Sequence, residues 1–202
     1  MKTLFPGVQQ VTFFTNAIGT QTKGIDLVMS YKKQINESNR FTGSLALTVN
    51  KTRITDVIAT PDLLQAGTTA TVLLIDTVSR ALIETSQPHT KVLLSLGYQY
   101  KKFNITVRST YFGEVTTWEK PAGIPHRVQT FAGKNIFDLS VTYSINKNFG
   151  VTIGGNNITD VYPDKVFSNY ASYTNGQVPY TRNANQFGFN GSYYYGTVMM
   201  NF

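Results

Sequence analysis

The residues best suited to catalysis or metal binding are few in this chain and stand far apart. There are two histidines, His89 and His126, and no cysteine. Neither histidine has a second ligand at metal-binding spacing, so a structural or surface role is expected for both. Without thiols there are no disulfides and no thiolate metal sites. The glycine-rich stretch Gly150 to Gly155 alternates with Val151, Thr152 and Ile153 like a strand and opens no helix, which argues against a phosphate cradle. No catalytic constellation forms and no cofactor is expected. Recognition is the chemistry that remains.

Composition narrows what could present such recognition. In 202 residues, 13% are aromatic and 14% charged, with 16 Gly, 12 Tyr and 13 Phe, which describes one β-rich domain over residues 1–202. Runs of strong helix formers are missing. The longest apolar runs, such as Val72-Leu73-Leu74-Ile75, fall far short of the ~20 residues of a membrane helix. Met1-Lys2-Thr3-Leu4-Phe5 runs straight into Pro6-Gly7, so no secretory h-region is expected. The net charge of +7 comes from Lys and Arg scattered singly at turns, as at Lys32-Lys33, Lys101-Lys102 and Lys147, and a nucleic-acid surface is not expected.

Alternation with a period of two is the strongest signal, because it sorts odd and even residues onto opposite faces of a strand. Over Asn135 to Asn146, Phe137, Leu139, Val141, Tyr143 and Ile145 share one face, and Asp138, Ser140, Thr142 and Ser144 the other. A tight turn at Asn146-Lys147-Asn148 leads to Phe149, Val151 and Ile153, completing a hairpin. A second hairpin runs Val92 to Tyr100 and Phe103 to Tyr111. A third runs Ile25 to Tyr31 and Phe41 to Val49, with a longer turn around Asn36 to Asn39. A strand near Val8 to Ala17, reached through a brief connection at Ile18-Gly19-Thr20-Gln21, and one near Ser192 to Phe202 bring the expected number to eight. Pro61 to Leu64 and Asp76 to Thr85 are expected to form short helical turns inside a loop.

Connection lengths alternate as well. Turns after Tyr31, Tyr100 and Ile145 are short, whereas Thr52 to Thr90, Thr116 to Lys134 and Asn157 to Asn185 are long. Short turns at one rim and long loops at the other is the outer-membrane arrangement. Tyr31, Phe41, Tyr98, Tyr100, Phe103, Tyr143, Phe149 and Phe202 sit at the short-turn end of the apolar face, and Tyr111, Phe137 and Tyr194 nearer the long loops. The span Phe103 to Tyr111 is about 20 Å after strand tilt, close to the ~25 Å apolar band of such barrels. A soluble barrel would alternate too, but would cover its outer face with charge; here the polar face is mostly Ser, Thr, Gly, Asn and Gln. The expected fold is all-β: an antiparallel transmembrane β-barrel segment of about eight strands, with short periplasmic turns and long extracellular loops.

Several motifs then resemble one family. Gly155-Asn156-Asn157-Ile158-Thr159-Asp160-Val161-Tyr162 resembles the Asn-Asn-Leu-Phe-Asp-x-x-Tyr segment late in TonB-dependent outer-membrane receptors, and it stands at the end of the penultimate strand, as it does there. Phe13 to Ala17 followed by Thr22-Lys23-Gly24-Ile25-Asp26 is similar to that family's T-x-G-[ILV]-[DE] hairpin. Arg80 to Tyr98 looks like its return from a long loop. Tyr194, Val198, Met200 and Phe202 resemble the terminal signal read by the barrel-assembly machinery. Such receptors have a 22-stranded barrel, an internal plug and an N-terminal coupling motif; this chain resembles roughly the last third of the barrel, without plug or motif.

The resemblance implies a location in the outer membrane of a Gram-negative bacterium. It also implies the partners: outer-membrane lipid, the barrel-assembly machinery, the missing plug and remaining barrel strands, and an energy-coupling protein reached only through that plug. It further implies that extracellular loops capture a ferric siderophore, cobalamin or oligosaccharide, the siderophore being favoured by family analogy. The candidate contacts are Trp118, His126 and Arg127 in one loop and Tyr170, Tyr173, Tyr180 and Arg182 in another, whose rings stack on ligands and whose guanidinium groups pair with anions. The alternative is that these tyrosines pack the loops together and the arginines face lipid A phosphates or solvent. Two rival readings are a self-contained eight-stranded barrel with a structural or adhesive role, and a soluble β-barrel binding protein, which requires the Leu94, Leu139 and Val141 face to point inward.

Overall fold

The structure, a computed structural model, describes residues 16–58, 75–119, 127–167, 178–184 and 186–201. Seven strands form one antiparallel sheet: β1 (Ile18–Asn36), β2 (Asn39–Val57), β3 (Thr90–Tyr100), β4 (Phe103–Phe112), β7 (Lys134–Ser144), β8 (Phe149–Asn156) and β9 (Tyr193–Met200), neighbours in that order. A separate hairpin, β5 (Val115–Glu119) and β6 (Arg127–Phe131), stands between β4 and β7 in sequence, and a helix, α1 (Thr77–Glu84), precedes β3. No described helix is long and apolar enough to cross a membrane.

Three expectations are corrected. Ile18 to Gln21 is part of β1 rather than a connection, because β1 and β2 stay paired from Ile18↔Val57 to Asn36↔Asn39; the Gly19/Thr20 irregularity is a bulge. The turn at Asn36 to Asn39 is tight, closed by the Asn36 carboxamide, whose Oδ1 accepts the Ser38 N–H at 3.0 Å and Asn39 Nδ2 at 2.7 Å. The segment expected as a loop from Thr116 to Lys134 contains the β5–β6 hairpin. The strand expected near Val8 to Ala17 and the helical turn at Pro61 to Leu64 fall in residues the structure leaves undescribed, apart from Asn16 and Ala17. The helical turn at Asp76 to Thr85 is α1, capped where the Asp76 carboxylate accepts the Ser79 N–H at 2.7 Å.

Register joins the apolar residues into continuous rows. Gly43, Leu96, Val107, Leu139 and Gly155 are successive partners across β2, β3, β4, β7 and β8, and Tyr194 of β9 completes the row. One row nearer the short turns, Phe41, Tyr98, Ile105, Val141 and Ile153 follow one another. The Phe103 and Tyr143 rings, opposite across β4 and β7, lie 4.8 Å apart.

Most of those apolar residues are exposed, Leu96, Tyr98, Ile105, Val107, Leu139, Ile153 and Tyr194 among them, while Phe41 and Val141 are half-buried. Leu94 is 38% exposed, Val107 39% and Leu139 37%, while the smaller Ser95, Gly97 and Thr106 on the other face are half-buried. A sheet curled toward its polar side crowds that side in this way, the opposite of the inward Leu94 and Leu139 that the soluble-barrel reading needs. The buried apolar residues lie off the main sheet altogether: Ala81 on α1, Val115 on β5, Phe131 on β6, and Val166. Among the described residues the main sheet therefore encloses no hydrophobic core of its own; the packed apolar cluster sits with the long loops at one rim. Among the described residues β1 pairs only with β2 and β9 only with β8, so the sheet is an open wall rather than a closed barrel.

Candidate functional site

The rim layer starts where the main strands end. β2 runs eight residues past Val49, its last residue paired with β3, and α1 packs into the gap. Glu84 of the helix accepts the Ile54 N–H at 2.8 Å, a backbone donor that β3 no longer reaches. Ala81 is the buried residue of the helix, and the Thr85 carbonyl at its end accepts the Thr116 N–H at 2.9 Å while the Thr85 hydroxyl donates to the Thr116 carbonyl at 2.7 Å. The helix is thereby tied to β5.

The β5–β6 hairpin contributes Val115 and Phe131 to a cluster with Val166, flanked by Phe167 and Ala184. Two side-chain amides replace missing strand partners. Gln129 donates to the Lys165 carbonyl at 2.8 Å and accepts the Phe167 N–H at 3.0 Å. Gln186, almost fully buried, donates to the carbonyls of Gly113 at 2.7 Å and Ala132 at 3.2 Å, joining the last loop to both ends of the hairpin. Burying Gln186 is tolerable because its amide nitrogen satisfies two carbonyls at once.

Lys134 and Asp164 make an ion pair at 2.6 Å, and Asp164 also accepts the Ala132 N–H at 2.7 Å. Partial burial works to raise the Asp164 pKa, but the hydrogen bonds from Lys134 and Ala132 and the Lys134 charge outweigh it and hold the carboxyl below its ordinary value.

The motif from Gly155 to Tyr162 now has a structural account. Asn157 and Asp160 adopt left-handed backbone, φ 50° and 52°. The Asn157 N–H donates to Asp138 at 2.9 Å, and the Ile158 N–H to the Phe137 carbonyl at 2.8 Å, extending the β7 ladder past the end of β8. Asp160 accepts the Ser192 N–H at 2.8 Å, which fixes where the chain re-enters as β9. The same carboxylate hydrogen-bonds the Tyr162 hydroxyl and holds its pKa above the ordinary phenol value, its negative charge acting in the same direction.

Beside this knot lies a cavity of about 200 Å³ lined by Phe131, Pro163, Tyr180, Arg182, Gln186, Phe187 and Phe189. Tyr180 sits in an aromatic run, 6.3 Å from Tyr162 and 5.5 Å from Phe189, near-parallel to both. Aromatic walls with a guanidinium at the margin can hold a flat or ring-bearing anionic ligand.

The expected contact residues divide three ways. Tyr180 and Arg182 come together at this cavity. Trp118 and Arg127 are on the β5–β6 hairpin whose Phe131 lines it, but do not line it themselves; Trp118 is half-buried opposite Val128, and Arg127 lies over the Phe167 ring at 5.3 Å. His126, Tyr170 and Tyr173 lie outside the described residues. Phe131, Gln186, Phe187 and Phe189 were not expected; the aromatic density between Tyr180 and Tyr195 was the available signal. Among the described residues no three His, Cys, Asp or Glu side chains gather at metal-binding distances.

Tyr194, Val198 and Met200 share the outer apolar face of β9, 72%, 61% and 54% exposed, and Phe202 lies outside the described residues.

No family model and no curated protein matches the sequence. Among solved structures, a chain of the FpvAI–pyocin S2 complex shares the fold with a TM-score of 0.53 at 13% identity, over 90% of this chain and 19% of that one. The chain thus spans less than a fifth of the length of the structure it matches. The likeness establishes the architecture, an antiparallel β-barrel wall.

Proposed function

We propose that this chain is wall and rim of an outer-membrane receptor that imports a scarce nutrient, and that the nutrient is a ferric siderophore. The observation that carries the reading is the inverted sheet: over β3 and β4 large apolar side chains such as Leu94, Leu96, Ile105 and Val107 are exposed while Ser95, Gly97 and Thr106 opposite them are half-buried, an arrangement favoured when the surrounding solvent is lipid. The apolar rows give the wall a lipid-facing band, and the packed rim gives the long loops a fixed frame. The aromatic cavity with Arg182 suits an anionic, ring-bearing chelate better than a neutral sugar, and its role is binding rather than catalysis. The open edges of β1 and β9 are where further barrel strands would join, and a plug and coupling protein would act through that larger assembly.

The test is to export the chain into a Gram-negative host, locate it by fractionation, and titrate it with ferric siderophores while following Trp118, the single tryptophan. Recovery with outer membranes and a saturable fluorescence change, weakened about tenfold by Arg182→Gln as expected for loss of a charged hydrogen bond, supports the reading. A response to cobalamin or oligosaccharide alone reassigns the ligand. Recovery as a soluble, cooperatively folding monomer overturns the membrane assignment.

A further inference from the structure

Three cations that are dispersed in the sequence meet on one side of the β1–β2 hairpin. Lys23 and Lys51 are direct partners across the ladder, and Arg53, opposite Gln21, is the next residue outward on the same face. Alternation puts all three on the face of Ile25, Leu27, Met29 and Tyr31. That face is an apolar ladder open to its surroundings, with Ile25 73% exposed and Tyr31 56%. It ends at Ile25 and its partner Val49, and the next pair toward the long-loop rim is Lys23 with Lys51.

Like charges placed directly opposite each other destabilise a ladder, so this pair is unfavourable unless an anion lies against it. Among the described residues no acid neutralises it. Asp26 is on the other face opposite Thr48, Asp56 lies past the bulge opposite Gly19, and Glu84 accepts the Ile54 N–H. The one ion pair among the described residues is Lys134 with Asp164. Lys23 and Lys51 line an open groove of about 580 Å³ together with Gly24, Ile25, Val49, Asn50 and His89. The His89 ring is held by Nδ1 against the Asn50 carbonyl at 2.8 Å.

We propose that Lys23, Lys51 and Arg53 bind the phosphate groups of a membrane glycolipid headgroup while its acyl chains lie along the Ile25 to Tyr31 ladder, an assignment that rests on the membrane reading above. Position and charge agree. A cation row immediately beyond an apolar band stands at headgroup depth, and long basic side chains reach phosphates there while their stems stay on apolar surface. The long-loop side of such a barrel faces the outer leaflet.

The test uses the full chain with phosphatidylcholine vesicles containing either bisphosphorylated lipid A or the same glycolipid dephosphorylated. Wild type should partition preferentially into the phosphorylated vesicles. The combined Lys23→Gln, Lys51→Gln, Arg53→Gln variant should lose about fivefold of that preference per cation, while Lys32→Gln with Lys33→Gln, at the opposite rim, should keep it. Equal partition by wild type, equal loss in the control variant, or displacement by inorganic phosphate at the same phosphate concentration overturns the proposal and leaves the membrane reading standing. Failure of every variant to enter either vesicle overturns the membrane reading itself, and the proposal with it.

Discussion

The side-chain amide of Asn157 makes both hydrogen bonds with the backbone of Val161, donating through Nδ2 to its carbonyl at 2.8 Å and accepting its N–H at 2.9 Å. One side chain thus stands in for a missing strand partner and turns the chain out of β8 toward the cavity. A carboxamide is needed because the backbone presents one donor and one acceptor, and Asn also tolerates the left-handed backbone found there.

Asn157→Asp keeps the shape and the acceptor but replaces the donor with a charged oxygen facing a carbonyl. At a position only 8% exposed, the expected cost is about 2 kcal/mol. Denaturant unfolding in detergent or bilayer measures it; a change within ±0.5 kcal/mol, the usual range for an ordinary surface site, would show that the motif does not hold the loop.

On the polar face of the sheet, Gly154 lies opposite Tyr195, and a Cβ built on Gly154 would stand 2.5 Å from the tyrosine ring. Gly154→Ala should displace the ring at a cost of about 1 kcal/mol, the low end for overpacking because the ring can swing. Adding Tyr195→Ala should remove most of that cost. Additive losses in the double-mutant cycle would disprove the contact.

The two faces of β4 should respond oppositely to charge. Val107→Arg, midway along the apolar face between Phe103 and Tyr111, should cost about 2–4 kcal/mol of stability in a bilayer. Thr106→Arg, one residue away on the polar face between Gly97 and Ser140, should cost much less. Equal costs would mean that the apolar face does not meet lipid.

Acid should loosen the rim through Asp164. Its carboxyl is held below the ordinary value in the folded chain, so its contribution is present above the unfolded pKa and disappears as pH falls through the lower folded one. Wild type and Asp164→Asn should therefore differ in protease susceptibility of the rim at neutral pH and converge in acid. A difference that persists below both pKa values would assign the effect to something other than this ionisation.

Much of the wall was legible beforehand because strand alternation is a local property. Phe137 to Ile145 and Val92 to Tyr100 reveal their faces residue by residue, and short turns such as Asn146 to Asn148 fix antiparallel pairing between neighbours. The misread positions were those whose meaning depends on a partner. Gly19 resembles a turn residue until Asp56 and Ile54 are seen opposite the irregularity, and Phe131 resembles a loop residue until it is buried with Val115.

The sequence by itself determined a two-faced antiparallel sheet with long loops at one rim, since period-two patterning and turn chemistry act over a few residues. Only the tertiary structure decided that the apolar face is the exposed one, that Tyr180 and Arg182 share a cavity while Trp118 and Arg127 do not line it, and that Lys23, Lys51 and Arg53 form one cluster. Those outcomes depend on register and curl, through which backbone hydrogen bonds bring distant segments side by side, and neither is written in any single stretch of chain.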